Sequence, residues 1–246
     1  MSTAPERVAI VTGGSRGIGR QVVERLAADG YAVVVNYANN EAEGRAAVKE
    51  AVAAGGQGLA VRGDISDPAA VAALFDTAEE TFGGVDVVVN AAGIMGPPVP
   101  LVDLDLERLD RILQVNVRGT FAVAQQAARR LRRGGALITF STSVIGLALP
   151  GYGAYVASKG AVEGLTLILA RELRGRDVTV NTVAPGPTAT SLFLDGKDEE
   201  TVARMAAQPP LERLGQPSDI AEAVAFLAGP ARWVNGQVLR VNGGII

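Results

Sequence analysis

Residues 7–19 read Arg-Val-Ala-Ile-Val-Thr-Gly-Gly-Ser-Arg-Gly-Ile-Gly. The first part, Arg7–Thr12, is apolar at nearly every position, as expected of a parallel strand covered on both faces. Glycines follow at positions 13, 14, 17 and 19, and an Ala-rich helical stretch, Gly17–Asp29, opens inside the same run. Strand, glycine turn and helix in that order form a site for an anion. Glycine permits positive φ and close backbone approach, and the helix N-terminus stabilises negative charge. The spacing is Gly13-x3-Gly17-x-Gly19 rather than the literal G-x-G-x-x-G. A tight turn with no ligand is the plainer alternative; the place of the turn, in the first unit of the chain, favours a diphosphate.

The same alternation runs outward from this stretch. Further strands are expected at Ala32–Asn36, Gly58–Arg62, Val85–Asn90, Ala136–Ser141, Val178–Val183 and Val238–Val241. Helices are expected between them at Glu41–Ala54, Pro68–Phe82, Leu106–Arg132, Tyr152–Arg174 and Ser218–Leu227. Ser66-Asp67-Pro68 makes a good helix start, with a capping residue and Pro in the first turn. Strict β-α-β alternation predicts an α/β fold: a doubly wound parallel sheet of about seven strands in one domain spanning residues 1–246. Ligands of such sheets bind beyond the C-terminal strand ends, near the switch in strand order. One connection breaks the rhythm. Pro185–Gly215 is long, with a single helical stretch near Glu199–Ala207, and residues 188–214 read as a substrate lid with a greasy edge at Leu192, Phe193 and Leu194.

Composition then removes whole classes of chemistry. The 246 residues are 48% hydrophobic and 20% charged, which is ordinary for a globular protein. The net charge of −3 argues against a nucleic-acid partner. There is no Cys and no His. Disulfides, thiolate nucleophiles, Ser-His-Asp triads and the usual zinc sites are therefore excluded, and no metal is expected. An enzyme built from this chain must move protons with Tyr, Lys, Asp or Glu. The start MSTAPER has no basic segment followed by an apolar run, and no stretch reaches the ~18 apolar residues of a membrane span. A cytoplasmic location and no membrane partner are the resulting expectations.

Four further motifs join the glycine turn: Asn90-Ala91-Ala92-Gly93 after the fourth strand, Asn116 in the next helix, Tyr155-x3-Lys159, and Pro185-Gly186 after the sixth strand. With these the sequence resembles the short-chain dehydrogenase/reductase family, in the single-domain branch similar to 3-oxoacyl-carrier-protein reductases. The motifs span nearly the whole chain. From the residues alone, Tyr155 and Lys159 share a helix face at i and i+4. A nearby ammonium favours a phenolate and lowers the pKa of a phenol. Lys is scarce here, only Lys49, Lys159 and Lys197, although a packing Tyr and a solvated Lys would leave the same trace.

The resemblance assigns roles. Tyr155 supplies a proton, a hydroxyl holds the substrate carbonyl, and Lys159 binds the nicotinamide ribose and tunes Tyr155. Asn116, with Lys159, holds a water in a proton relay. Among Ser141, Thr142 and Ser143, the family spacing of 13 before the Tyr points to Thr142, whereas the following Val144-Ile145-Gly146 points to Ser143; we take Ser143, with Ser141 structural. Asp64, with Ile65, resembles the adenine contact, with helix capping as the alternative and Ser66 or Asp67 as competing caps. Asn90, Ala91 and Gly93 line the adenine ribose and pack the sheet. Pro185 and Gly186 belong to the nicotinamide loop, where Thr188 or Thr190 supplies a hydroxyl. The glycine turn contributes Gly13, Ser15, Arg16, Gly17, Ile18 and Gly19. The second strand ends in neutral Asn36 where NAD-selective folds carry an acid, and Arg16 can pair with a 2′-phosphate. NADP (NADPH) is the expected cofactor.

An apolar substrate pocket is expected from Ile94, Met95, Val144, Leu149, Tyr152, Leu192 and Phe193, suited to a small-molecule ketone or acyl substrate. Arg129, Arg130, Arg132 and Arg133 read as a solvated helix end. The resemblance also places Arg132 or Arg133, with Arg176, near the entrance, where related reductases receive an acyl-carrier protein. The uncharged stretch Gly243–Ile246 suggests burial against another subunit, and relatives of this branch form homotetramers. The expected activity is hydride transfer between nicotinamide and a ketone or secondary alcohol, with a 3-oxoacyl thioester as one such substrate. A catalytically idle NADP-binding redox sensor is the alternative, disfavoured because a pure binder has no use for the Asn116–Ser143–Tyr155–Lys159 set. Dehydratase or epimerase activity is weaker still, since 246 residues leave little room for a substrate domain.

Overall fold

Seven strands form one all-parallel sheet: β1 (Val8–Thr12), β2 (Ala32–Tyr37), β3 (Gln57–Arg62), β4 (Val85–Asn90), β5 (Leu131–Phe140), β6 (Thr179–Pro185) and β7 (Val238–Val241), in the order β3-β2-β1-β4-β5-β6-β7. The computed structural model describes residues 7–246; Met1–Glu6, on which the reading of the N-terminus rests, lie outside the described residues. Alternate strand residues feed two cores although all are buried. Val11, Val33, Val89 and Ile138 pack beneath α1 (Gly17–Ala28), α2 (Glu41–Ala53) and α10 (Pro217–Ala228). Ile10, Val34, Val88 and Leu137 pack on the other face against α3 (Pro68–Phe82), α5 (Thr120–Arg130) and α7 (Gly153–Glu172). The apolar runs are thus period-two strands with both faces covered. The chain order reverses between β1 and β4, and Thr12 pairs with Asn90 there. The glycine turn and the Asn90–Gly93 loop therefore leave the sheet side by side.

Three expected boundaries are corrected. The single helix Leu106–Arg132 is broken into α4 (Leu106–Leu113), a π-helical segment at Gln114–Gly119, and α5. The fifth strand starts at Leu131 rather than Ala136, because Val85 pairs with Leu131 and Val87 with Ala136, leaving Arg132–Gly135 as an irregularity within one strand. Two short helices flank the active-site turn and the long connection: α6 (Val144–Leu147) after β5 and α8 (Ser191–Leu194) after β6, the latter preceding α9 (Glu199–Ala206). Among the described residues, no helix is long and apolar enough to cross a membrane.

Candidate active site

At the head of α1 the backbone itself makes the site. A Cβ on Gly13 would lie 2.9 Å from Ala92 Cα, and one on Gly19 would overlap Gly13 O. Only hydrogens fit, so the turn closes tightly against the β4 loop. Side chains cap several other helix starts: Asn40 on α2, Asp67 on α3, Asp105 on α4 and Asp198 on α9. The N-terminus of α1 has no side-chain cap, and it opens on a groove lined by the glycine turn, the end of β2, Asp64, Ile65 and Arg111. Free N–H groups facing a groove suit phosphate oxygens.

Farther along, the groove becomes an apolar pocket at the ends of β5 and β6, with Ile18, Ala91, Gly93, Thr190 and Leu192 bordering both parts. Tyr155 and Lys159 reach this pocket from one face of α7. Lys159 Nζ donates to Phe140 O at 2.8 Å and lies 5.9 Å from the centre of the Tyr155 ring. Burial pushes Tyr155 up to about 12, against an opposing hydrogen bond with the Thr142 side chain. Burial also pushes Lys159 down to about 8. A hypothetical Cβ on Gly93 would stand 3.3 Å from Asn116 Oδ1 and 3.4 Å from Lys159 Nζ, so the loop after β4 passes close to both side chains.

A chain of buried hydrogen bonds ties the two ends together. Thr12 Oγ1 donates to Asn90 Oδ1 at 2.6 Å and accepts from Ala92 N at 3.2 Å. Asn90 Nδ2 donates to Thr120 Oγ1 at 2.9 Å, and Thr120 donates to Asn116 O at 2.6 Å. Asn116 Nδ2 donates to Ser158 Oγ at 3.0 Å, and Ser158 donates to Tyr155 O at 2.7 Å. Each polar group has a partner, as burial requires, and the chain runs from β1 to the catalytic face of α7.

Residues 13–246 match the family described as enoyl-(acyl carrier protein) reductase. The chain is 42% identical, over 98% of its length and 94% of the relative's, to an NADPH-dependent aldehyde reductase-like chloroplastic protein of Arabidopsis thaliana. It is 40% identical, over 96% of its length and 97% of the relative's, to a 3-oxoacyl-acyl-carrier-protein reductase of Staphylococcus aureus. A short chain dehydrogenase from Burkholderia cenocepacia, solved in complex with NADP, superposes with a TM-score of 0.91 at 38% identity, covering 99% of both chains. The chain belongs to the short-chain dehydrogenase/reductase family.

Against that family pattern, most expected residues assemble. Gly13, Ser15, Arg16, Gly17, Ile18, Gly19, Asn36, Asp64, Ile65, Ala91, Gly93 and Thr190 line the groove. Ser143, Tyr155, Lys159, Pro185, Gly186, Thr188 and Thr190 line the pocket. Asp64 is not the cap of α3, a job done by Asp67. Its carboxylate accepts from Ser66 N at 2.9 Å and from Arg111 at 3.3 Å, contacts that hold it below the usual range against the opposing effect of burial. Thr190 caps α8, and its methyl would lie 3.5 Å from a Cβ on Gly17, so the start of the long connection touches the glycine turn.

Several expected roles change. Asn90 does not border the groove: its side chain brackets Thr12 and Thr120. Asn36 spends its amide on Val61 O and Gly63 O, tying β2 to β3. Asn116 borders neither cavity; its side chain holds Ile94 N at 2.9 Å, Ile94 O at 2.8 Å and Ser158. It is seated in the π segment. Ser143 Oγ donates to Ala184 O at 3.3 Å and accepts from Asn242 Nδ2 at 3.1 Å; Thr142 Oγ1 accepts from Val144 N at 3.2 Å and is the hydroxyl whose interaction lowers the Tyr155 pKa against burial, and both residues line the pocket. The expected lowering of Tyr155 by Lys159 is not seen: desolvation of the phenolate raises its pKa, and Thr142 is the group that opposes the rise.

The arginines are also differently placed. Arg132 and Arg133 sit at the N-terminal end of β5, opposite the end that carries Thr142. Arg132 binds Gly83 O and Asp86, Arg133 binds Gly175 O, and Arg176 binds Ala128 O and Leu131 O. Arg130 pairs with Asp76 and Glu79. These side chains bind groups around the N-terminal end of β5, away from the pocket. Of the expected pocket border, Met95, Val144, Leu149, Leu192 and Phe193 are present, while Ile94 and Tyr152 are not. Leu147, Met205, Gln208 and Ile245 join it. The last three come from distant parts of the chain, where local sequence carries no sign of a shared cavity.

Proposed function

We propose that this chain is an NADPH-dependent carbonyl reductase acting on a ketone or other neutral carbonyl, reversible toward the secondary alcohol. The observation that carries the reading is the meeting of Tyr155, Thr142 and Lys159 in an apolar pocket continuous with a phosphate-binding turn. The residues present fit the cofactor. The uncapped α1 and its glycine cradle take the diphosphate, Arg16 takes the 2′-phosphate beside a β2 end that lacks an acid, and Lys159 takes the ribose next to nicotinamide. When bound, NADPH supplies the hydride. Thr142 Oγ1 and the Tyr155 hydroxyl then hold the carbonyl oxygen, and Tyr155 transfers its proton to that oxygen. A phenol held near 12 stays protonated at neutral pH, as a donor must. The phenolate left behind is stabilised by the adjacent Lys159 ammonium. The reverse reaction needs that phenolate and is favoured by alkali.

Away from the hydroxyls and Lys159, the lining is largely apolar, with Met95, Leu147, Leu149, Leu192, Phe193 and Met205 beside Gln208, which suits a lipophilic ketone; a 3-oxoacyl thioester belongs to the same chemistry, as the likeness to the S. aureus enzyme supports. The arginine cluster gives no support to carrier docking within one subunit. Residues 188–214 act as the lid, a cytoplasmic homotetramer is the assembled form, and Phe226 and Trp233, 50% and 100% exposed, are apolar surface such an assembly would cover. The test is loss of reduced-cofactor absorbance across a panel of carbonyls. Tyr155→Phe should bind NADPH normally yet lose ~10²–10⁴ in kcat. Near wild-type turnover in that variant would defeat the mechanism.

A further inference from the structure

The segment Asn242–Ile246 belongs to neither the cofactor groove nor the acid–base pair, yet it touches the supports of both. Ile245 lines the carbonyl pocket. Ile246 packs its Cδ1 onto Gly146, where an added Cβ would displace it. Asn242 folds the segment back on itself: its Oδ1 accepts from Gly244 N at 3.0 Å, while its Nδ2 reaches Ile246 O at 3.5 Å and Ser143 Oγ at 3.1 Å. On its other side Gly243 and Gly244 lie under Pro209 and Pro210, where an added Cβ would stand 3.1 and 3.3 Å away. A second cavity lies on that side, lined by Leu211, Arg213, Asn242 and Gly243. It shares Gly186, Pro187 and Thr188 with the carbonyl pocket.

We propose that Asn242–Ile246 is a partition that sets substrate size, with Ile245 bounding the carbonyl pocket and preventing a large substituent from running on into the second cavity. The proposal rests on the carbonyl-reductase reading. The segment is anchored at three points, on Ser143, Gly146 and Pro209-Pro210, so it is a fixed wall. The side chain that meets substrate is apolar, so the discrimination is steric. A methylene in an apolar pocket is worth roughly tenfold or more in specificity, and Ile245→Ala removes several carbons from the wall while leaving every anchor in place.

The experiment compares kcat/KM for methyl ketones of increasing size, from butanone to 2-acetonaphthone, in the wild type, Ile245→Ala and Ile245→Phe. The bulky-to-small ratio should rise about tenfold in Ile245→Ala and fall in Ile245→Phe. NADPH affinity, read by cofactor fluorescence, should hold within about twofold in both, because the wall is absent from the phosphate groove. A ratio that stays at the wild-type value in both variants, with NADPH still bound, overturns the partition. A wild type that binds NADPH but reduces no carbonyl overturns the underlying reading, and the partition with it.

Discussion

The two ends of the groove are built by opposite means. At the phosphate end the chain leaves groups free: an uncapped helix, glycines that admit no side chain, and Arg16 exposed at the turn. At the carbonyl end nearly every polar side chain is held by another, through Asn90, Thr120, Asn116 and Ser158 to the backbone of Tyr155. The first end binds with the backbone, so that apart from its glycines it tolerates variation in side chains. The second depends on side chains held in register, so single substitutions there should be far more costly.

Thr142→Val is the sharpest way to test that contrast. Losing the hydroxyl that shares the substrate oxygen with Tyr155 should lower kcat by about 10²–10³, whereas Ser143→Ala should change it only a few-fold. Steady-state kinetics of the pair decides which hydroxyl acts, and the opposite ranking would return the role to Ser143.

Lys159 exposes the cost of the tied end. Its pKa falls from 10.5 to about 8, so between those values the unfolded chain binds a proton that the folded protein does not. Stability therefore rises with pH across that window, and at pH 7 the folded state bears the whole cost of a buried ammonium, on the order of 3 kcal/mol. Lys159→Met should remove that cost. We expect an inactive protein whose cofactor-free Tm at pH 7 is higher by several degrees, with the gain shrinking toward pH 10.5. A lower Tm at pH 7 in differential scanning calorimetry would mean that the bond to Phe140 O outweighs desolvation.

At the phosphate end, Arg16→Ala should leave NADH kinetics almost unchanged and lower kcat/KM for NADPH by roughly ten- to a hundredfold. That is the equivalent of one charge-assisted contact of ~1.5–3 kcal/mol. Equal use of both cofactors by the wild type would break this side of the contrast.

The free end was also the easier one to read from sequence. Glycines after a buried strand declare their purpose locally, and the βα alternation places them at the switch point, so the turn and the parallel sheet were both legible. The tied end depends on which hydrogen-bond partner tertiary structure offers. A buried amide looks the same in sequence whether it faces a ligand or a neighbouring strand: Asn36 lines the groove while its amide ties β2 to β3, and Asn90 turns to Thr12 and Thr120. Thr142 and Ser143 differ by one residue of loop, which spacing alone did not separate. The π segment left no mark either, since Leu106–Arg130 stays helix-compatible throughout. Arg132 and Arg133 looked like a helix end because the strand that carries them begins with an irregular stretch.

That π segment makes the tied end depend on a residue count as well as on residue identity. A turn widened from α to π holds one more residue than its neighbours. Deleting one residue of Gln114–Gly119 other than Asn116 would let the chain relax into one continuous α-helix, because the wide turn absorbs the extra residue while the flanking turns keep their phase. The wide turn is what seats Asn116 against Ile94 and Ser158 while Thr120 stays on Asn90, so the deletion would disturb the contacts of Asn116 although no residue type in the network had changed. A substitution can be tolerated or compensated by its neighbours; the loss of the wide turn cannot. Insertions and deletions should therefore be excluded from these six positions more stringently than substitutions are.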